Sequence, residues 1–143
     1  MKKTYTAKSE TETMDIAADF AKTLTGNATI LIKGPLGAGK TVFVRGLAQA
    51  MGVSKRVTSP TFTLMNLYPV KKKSIKQIAH LDAYRVSGRD LLDIGLQEYI
   101  ERPDTIVVIE WAQKVKDFIH GLANVIEVSI EPVDDKKRII SIK

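Results

Sequence analysis

The sequence predicts an α/β fold: a mainly parallel sheet with flanking helices and an antiparallel C-terminal hairpin. The first observation is that helical and strand-like patterns alternate over the first half of the chain, which is typical of parallel strands joined by crossover helices. The second is a pair of alternating apolar and polar segments, 125–130 and 138–142, separated by a polar turn. Two such segments favour an antiparallel hairpin at the end of the chain.

The elements of the first fifty residues follow from apolar spacing. Thr11 or Ser9 is expected to cap a first helix, and apolar residues recur along one of its faces. That face contains Met14, Ala17, Ala18, Ala21 and Leu24. Residues 28–32 form a short apolar run rich in β-branched side chains, as expected for a strand buried on both faces. After a glycine-rich loop, apolar residues from Val44 to Met51 line a second helix that ends at Gly52.

The middle of the chain predicts a hairpin and a short helical region. Residues 58–68 are interpreted as a loop leading into a strand, and Lys71–Lys73 as the turn after it. Residues 75–81 then return as another strand, which ends at Asp82. Apolar residues between 91 and 100 indicate helix, interrupted or reset near Gly95.

Residues 105–109 form the clearest buried strand of the sequence, and this strand runs directly into Glu110. We find no internal repeat, low-complexity tract or linker, so residues 1–143 are expected to form one domain.

Composition excludes several classes of protein. The apolar fraction is 44% and the charged fraction 27%, close to the averages for globular proteins. No apolar run is long enough to span a bilayer, no secretory signal is recognisable, and there is no cysteine. We therefore expect a cytoplasmic location. The net charge is +6, and basic residues are concentrated in Lys71–Lys73 with Lys76 and in 136–138. These clusters could contact nucleic acid or an acidic partner, but a solvated hairpin tip and a charged turn are the favoured interpretation.

The strongest functional signal is the loop from Gly34 to Thr41, which fits the pattern G-x-x-x-x-G-K-[ST] without a mismatch. A predicted strand precedes the loop and a predicted helix follows it, so the context favours a P-loop NTPase-like fold. Glycines allow the backbone N–H groups to surround phosphate oxygens, and the helix start adds its positive dipole end. Lys40 is expected to reach the β- and γ-phosphates, and the Thr41 hydroxyl to bind Mg²⁺.

Such a loop needs a carboxylate at the end of a neighbouring strand, and both Asp82 and Glu110 occupy such a position. His80 could act as a general base, but a satisfied packing residue within the strand is the favoured interpretation. Trp111 could belong to the core or stack on a ligand. Thr61 is a candidate sensor of the γ-phosphate.

Five motifs in order resemble one family closely: the loop 34–41, Ser59-Pro60-Thr61-Phe62, the segment 80–85 (HLDAYR), the segment 95–99 (GLQEY) and Glu110-Trp111-Ala112. The chain resembles the TsaE family, formerly called YjeE, over nearly its whole length. The resemblance implies a small Mg²⁺-dependent ATPase of bacterial tRNA threonylcarbamoyladenosine synthesis. It also implies TsaD and TsaB-like partner proteins, with tRNA reached indirectly through the complex and no membrane.

The resemblance also implies roles for individual residues. The expected nucleotide-binding residues are Thr13, Gly34, Gly37, Ala38, Gly39, Lys40, Thr41, Val42, Thr61 and Trp111. The expected catalytic residues are Lys40, Asp82 and Glu110, and the expected Mg²⁺ ligands are Thr41 and Glu110. Which carboxylate positions the attacking water stays open, and Arg85 is the candidate arginine finger.

Two other functions remain as alternatives. One is a small-molecule kinase of the P-loop class. The short chain and the lack of a recognisable lid argue against this alternative. The other is a non-catalytic, nucleotide-gated binding module.

Pro35 stands where the family usually has a polar or acidic residue, and it removes one backbone donor from the loop. ATP is favoured over GTP because no guanine-reading Asn-Lys-x-Asp element follows the strands.

Overall fold

The computed structural model describes residues 2–61, 63–72, 74–85, 88–111, 122 and 124–143. Within these ranges, seven strands form one sheet and four helices accompany it. The strands are β1 (Lys3–Ala7), β2 (Thr29–Lys33), β3 (Met65–Lys72), β4 (Ile75–Asp82), β5 (Thr105–Glu110), β6 (Val125–Pro132) and β7 (Arg138–Ile142). The helices are α1 (Glu10–Ala21), α2 (Lys40–Ala50), α3 (Gly88–Asp93) and α4 (Leu96–Glu101).

The strand order is β1-β7-β6-β2-β5-β4-β3. The four central strands, β6, β2, β5 and β4, run parallel to one another, whereas the pairs β1–β7, β6–β7 and β3–β4 are antiparallel. The predicted C-terminal hairpin is therefore confirmed as β6 and β7. The expectation of a mainly parallel sheet is wrong: the sheet is mixed, because both of its edges are built from strands that pair antiparallel.

Strand β1 was not predicted from the sequence. It pairs with β7 from Lys3↔Ile142 to Ala7↔Arg138, and all of its side chains except Ala7 are exposed. An edge strand that buries only its last side chain does not need the apolar alternation from which strands are recognised. Only its backbone pairing with β7 identifies it.

The helices cover both faces of the sheet. On one face, Ile30 and Ile32 of β2 pack in a core that includes Phe20 of α1 and Phe43 of α2. On the other face, Leu31 belongs to a second core that includes residues of α4. Because neighbouring residues of β2 enter opposite cores, this strand is apolar throughout, as predicted for a strand buried on both faces.

The helix limits follow local signals. Ser9, not Thr11, is the N-cap of α1, and its side chain accepts a hydrogen bond from the Glu12 backbone N–H at 3.1 Å. The predicted reset near Gly95 is confirmed, since Gly95 has φ of 95° and separates α3 from α4. No helix among the described residues combines the length and the apolar character needed to cross a membrane.

Candidate functional site

The loop between β2 and α2 is shaped by its glycines. Gly37 and Gly39 have φ of 77° and 98°, values that residues with a Cβ rarely adopt. A Cβ on Gly34 would lie 2.6 Å from the backbone oxygen of Ile130, so this glycine lets the loop pass close to β6. Inside the loop, the Ala38 N–H donates to the Pro35 oxygen at 3.1 Å. Pro35 therefore supplies an acceptor to the loop, although it has no N–H to donate.

Helix α2 begins without a side-chain cap. Its N-cap residue is Gly39, which has no side chain to accept a hydrogen bond, and the first helical bond runs from the Phe43 N–H to the Gly39 oxygen. The amide groups that precede Phe43 therefore lack helical partners, and a helix start in this condition attracts an anion through its N–H groups and dipole. The loop and α2 together can hold a phosphate group.

Lys40 lies folded back over the loop. Its ammonium donates to the backbone oxygens of Gly34 and Pro35 at 2.8 and 2.9 Å, and it lies 4.2 Å from the ring centroid of Trp111. Burial lowers the pKa of Lys40 from its usual value, against the opposing effect of the charges of Glu110 and Asp82. The Lys40 ammonium is thus held beside the loop by two neutral backbone oxygens, and an anionic ligand can replace these acceptors.

The two predicted carboxylates lie side by side. Asp82 and Glu110 are register partners at the carboxyl ends of the parallel strands β4 and β5, and they are 3% and 2% exposed. Ligands of open α/β sheets bind at this edge. Both side chains line one cavity together with Lys40 and Thr41. We call it the carboxylate cavity; its volume is about 320 Å³.

Asp82 connects the 59–61 segment to the residues that follow β4. Its Oδ2 accepts a hydrogen bond from the Thr61 hydroxyl at 2.9 Å, and its Oδ1 accepts one from the Tyr84 backbone N–H at 2.8 Å. The Ser59 and Thr61 hydroxyls are 2.6 Å apart. Thr61 therefore contacts a carboxylate of the cavity and is more than an ordinary turn residue.

Trp111 takes an unusual backbone conformation. Its φ is 59°, the left-handed region in which bulky residues are rare and which is often strained at functional sites. The ring packs against Tyr84 at 4.7 Å between centroids, lies beside the Lys40 ammonium and lines the carboxylate cavity. The two interpretations of Trp111 are not exclusive, because the ring is partly buried against the second core as well.

A second cavity of about 420 Å³ lies on the α1 side of the loop, and we call it the α1 cavity. Thr13 of α1, which is 3% exposed, and Val42 of α2 line it. Both cavities are bordered by Gly37, Gly39 and Val42, so they adjoin along the loop. A ligand with a phosphate end and a larger organic end can occupy both.

Arg138 is a residue of the site that sequence reasoning missed. Its Nε donates to the Ala38 oxygen at 2.9 Å and its Nη2 to the Gly37 oxygen at 3.2 Å, while Nη1 donates to the Asp134 oxygen at 2.6 Å. The guanidinium therefore ties the β6–β7 turn to the glycine loop. The sequence showed only a basic turn, and no local signal links it to a loop 100 positions earlier.

The interpretation of His80 as a satisfied packing residue is confirmed for its packing, but only one of its ring nitrogens has a partner among the described residues. The ring is fully buried, but Nε2 lies 2.5 Å from Oε2 of Glu110, and Nδ1 has no hydrogen-bond partner among the described residues. His80 thus contacts a carboxylate of the site. The sequence could have signalled this only if the register between β4 and β5 had been known.

The residues present fit a magnesium ion. Thr41 and Glu110 line the same cavity, which is the combination of a hydroxyl and a carboxylate that Mg²⁺ uses beside phosphate oxygens. Within the described part of the chain, no three acidic or imidazole side chains form a complete metal cluster.

The structure brings most of the predicted site residues together around the two cavities. Ala38, the one predicted loop residue that is fully buried, packs in the first core and supplies the oxygen that Arg138 binds. Arg85, the candidate finger, is exposed, and neither cavity includes it. Two motif residues, Phe62 and Ala112, lie outside the described residues. The roles of all these side chains stay predictions.

Comparison with known proteins places this site in a family. The family model described as threonylcarbamoyl adenosine biosynthesis protein TsaE matches residues 7–140. The tRNA threonylcarbamoyladenosine biosynthesis protein TsaE of Rickettsia typhi is 35% identical over 141 residues, covering 97% of this chain and 93% of that protein. The protein of the same name from Aquifex aeolicus is 37% identical over 139 residues, covering 94% and 91%. The crystal structure of Bacillus subtilis YdiB superposes with a TM-score of 0.78 at 25% identity, covering 99% of this chain and 84% of that one.

Proposed function

The chain belongs to the TsaE family, and from that premise we propose that it binds and hydrolyses ATP as a subunit of the bacterial tRNA threonylcarbamoyladenosine machinery. The proposed partners are TsaD and TsaB-like proteins, which form N6-threonylcarbamoyladenosine at position 37 of tRNA. Hydrolysis resets that machinery between turnovers and takes no part in the group transfer itself. tRNA is reached through the complex.

One observation carries the proposal: an uncapped helix start and a buried lysine meet two carboxylates in a single cavity. Phosphoryl transfer needs positioning and neutralisation of charge more than covalent help, and this cavity supplies both. The triphosphate lies along the loop, and the nucleoside lies in the α1 cavity beside Thr13.

Lys40 provides the mobile positive charge. In the structure its ammonium is held by two neutral backbone oxygens, and an entering phosphate is a stronger acceptor than either of them. Burial lowers the pKa of Lys40, and a phosphate anion bound beside the lysine would oppose that effect because it favours the charged form. The Trp111 ring lies beside the lysine ammonium and helps to keep it on one side of the cavity.

Glu110 and Asp82 have different proposed roles. Bound Mg²⁺ supplies charge neutralisation at the transferred phosphate, and Thr41 with Glu110 would hold it. Asp82 orients the attacking water or acts at the γ-phosphate. Its hydrogen bond from Thr61 changes when that hydroxyl turns toward a γ-phosphate, which makes the 59–61 segment responsive to the state of the nucleotide.

Conservative variants test these two roles. Asp82→Asn is expected to lower the ATPase rate about 100-fold or more with nucleotide affinity retained. Glu110→Gln is expected to lose both the rate and the Mg²⁺-dependent part of nucleotide affinity. Glu127→Gln is the matched control, because Glu127 is a strand carboxylate that pairs with Lys33 and lines neither cavity. Full activity of both cavity variants would refute the catalytic assignment.

The partner assignment is tested by binding. The chain should co-purify with TsaB and TsaD in a manner that depends on ATP, and the Asp82→Asn variant should remain trapped in that complex because it cannot complete hydrolysis. No association with or without ATP would refute the proposed role. Faster phosphate transfer to a small metabolite than to water would instead support the kinase alternative.

A further inference from the structure

The buried contact between His80 and Glu110 is the feature from which a new role follows. His80 is register partner of Val108, two residues before the Asp82–Glu110 pair, so its side chain lies on the same face of the sheet as both carboxylates. The imidazole Nε2 and the Glu110 Oε2 are 2.5 Å apart. A Mg²⁺ ligand must be ionised, and an ionised carboxylate can only accept a hydrogen bond; in the tautomer that fits this role, Nε2 of His80 is therefore the donor.

Packing alone does not explain a histidine at this position. Nδ1 of His80 is buried without a partner among the described residues, and an unsatisfied buried polar atom destabilises the folded state. The ring is tilted beside Tyr68 at 6.4 Å, in surroundings where an apolar side chain would pack without that cost. An apolar side chain could not, however, donate a hydrogen bond to Glu110.

We propose that His80 is a positioning residue for Glu110: its Nε2–H holds Oε2 in place so that the second oxygen faces the carboxylate cavity. This inference rests on the proposed function, in which Glu110 binds Mg²⁺. Residues that hydrogen-bond to a metal ligand commonly fix its orientation in this way. No other side-chain hydrogen bond of Glu110 is present within the described ranges, so His80 is its one directional restraint there.

Loss of that restraint has a defined consequence. Glu110 is electrostatically coupled to the Lys40 ammonium, which sits in the same cavity. Without the hydrogen bond from His80, the carboxylate is free to turn toward Lys40. It then no longer lies in the position from which it would bind the metal.

Two polar variants of His80 separate the hydrogen bond from packing. In His80→Gln the side-chain amide nitrogen is as many bonds from the backbone as Nε2, so it can still donate to Glu110. In His80→Asn the amide ends at the position of Nδ1 and cannot reach. Thr105→Val is the control, because it removes a buried polar side chain from the opposite end of β5.

The readout is metal binding rather than turnover. Mn²⁺ is titrated into each protein saturated with ADP, and free Mn²⁺ is measured by its paramagnetic resonance signal; ADP affinity is measured separately in EDTA. We expect His80→Asn to weaken Mn²⁺ binding about 10- to 100-fold with metal-free ADP affinity unchanged. His80→Gln and Thr105→Val should stay close to wild type.

Every other outcome contradicts either the positioning role of His80 or the proposed nucleotide and metal site. Equal Mn²⁺ affinity in wild type and His80→Asn refutes the positioning role, and so does a loss in His80→Gln as large as in His80→Asn. If His80→Asn does not fold, His80→Leu takes its place, since it fits an apolar site and also lacks the donor. Failure of wild type to bind ADP, or wild-type Mn²⁺ affinity in Glu110→Gln, refutes the proposed nucleotide and metal site itself.

Discussion

Replacement of Gly46 by alanine should separate helices α1 and α2. Gly46 faces α1, and a Cβ built on it would lie 2.6 Å from both Cα and the backbone oxygen of Met14, whereas ordinary contact begins near 3.4 Å. The atoms in the way are backbone, so no side-chain rotation relieves the overlap. Helix α1 as a whole must move away from α2.

The size of the effect is the balance of two contributions. Overpacking of this kind costs about 1–3 kcal/mol, and the better helix propensity of alanine returns up to about 1 kcal/mol. We therefore expect the free energy of unfolding to fall by about 1–2 kcal/mol, with a Tm lower by roughly 2–8 °C. Since Met14 follows Thr13, which lines the α1 cavity, ADP affinity should fall as well.

Urea unfolding of Gly46→Ala, with ADP binding measured in parallel, gives both quantities. The control is the pair Gln49→Gly and Gln49→Ala, at an exposed position of the same helix, where only propensity acts. If Gly46→Ala is at least as stable as wild type while the control pair shows the usual preference for alanine, the close approach of the two helices is refuted.

Two further predictions concern charged groups at the loop. Burial lowers the pKa of Lys40, so this lysine loses its charge at a lower pH than a surface lysine; nucleotide affinity should fall as the pH approaches that pKa from below. Calorimetry in buffers of different ionisation enthalpy should then show proton uptake when the nucleotide binds. A nucleotide affinity that stays constant up to pH 10.5, the usual pKa of lysine, would contradict the lowered pKa of Lys40. Arg138→Gln should lower the free energy of unfolding by about 1.5 kcal/mol through lost bonds to Gly37 and Ala38, measured in urea. Full stability in Arg138→Lys would count against the forked guanidinium contact.

Much of the candidate site could be predicted because its signals are local. The glycine loop, the strand before it and the helix after it are contiguous, so spacing alone indicated their order. Asp82 and Glu110 were placed at strand ends by the same kind of pattern, and the structure puts both at one edge of the sheet.

The errors share a physical cause. Strand β1 buries only Ala7, so its sequence carries no alternation, and without β1 the sheet is expected to be more parallel than it is. Arg138 was interpreted as part of a solvated turn because its partners lie 100 positions away. For His80 the packing was predicted but the contact with Glu110 was not, because Glu110 lies on another strand, 30 positions away.

The sequence by itself determined which residues could meet a phosphate, because a glycine nest and a helix start are built from a few consecutive residues. Only the tertiary structure decided what surrounds them. The parallel register of β4 and β5 brings Asp82 beside Glu110 and places His80 where it can hold the latter. The antiparallel return of β7 brings Arg138 to the loop. Strand register is a property of pairs of distant segments, and no single segment encodes it.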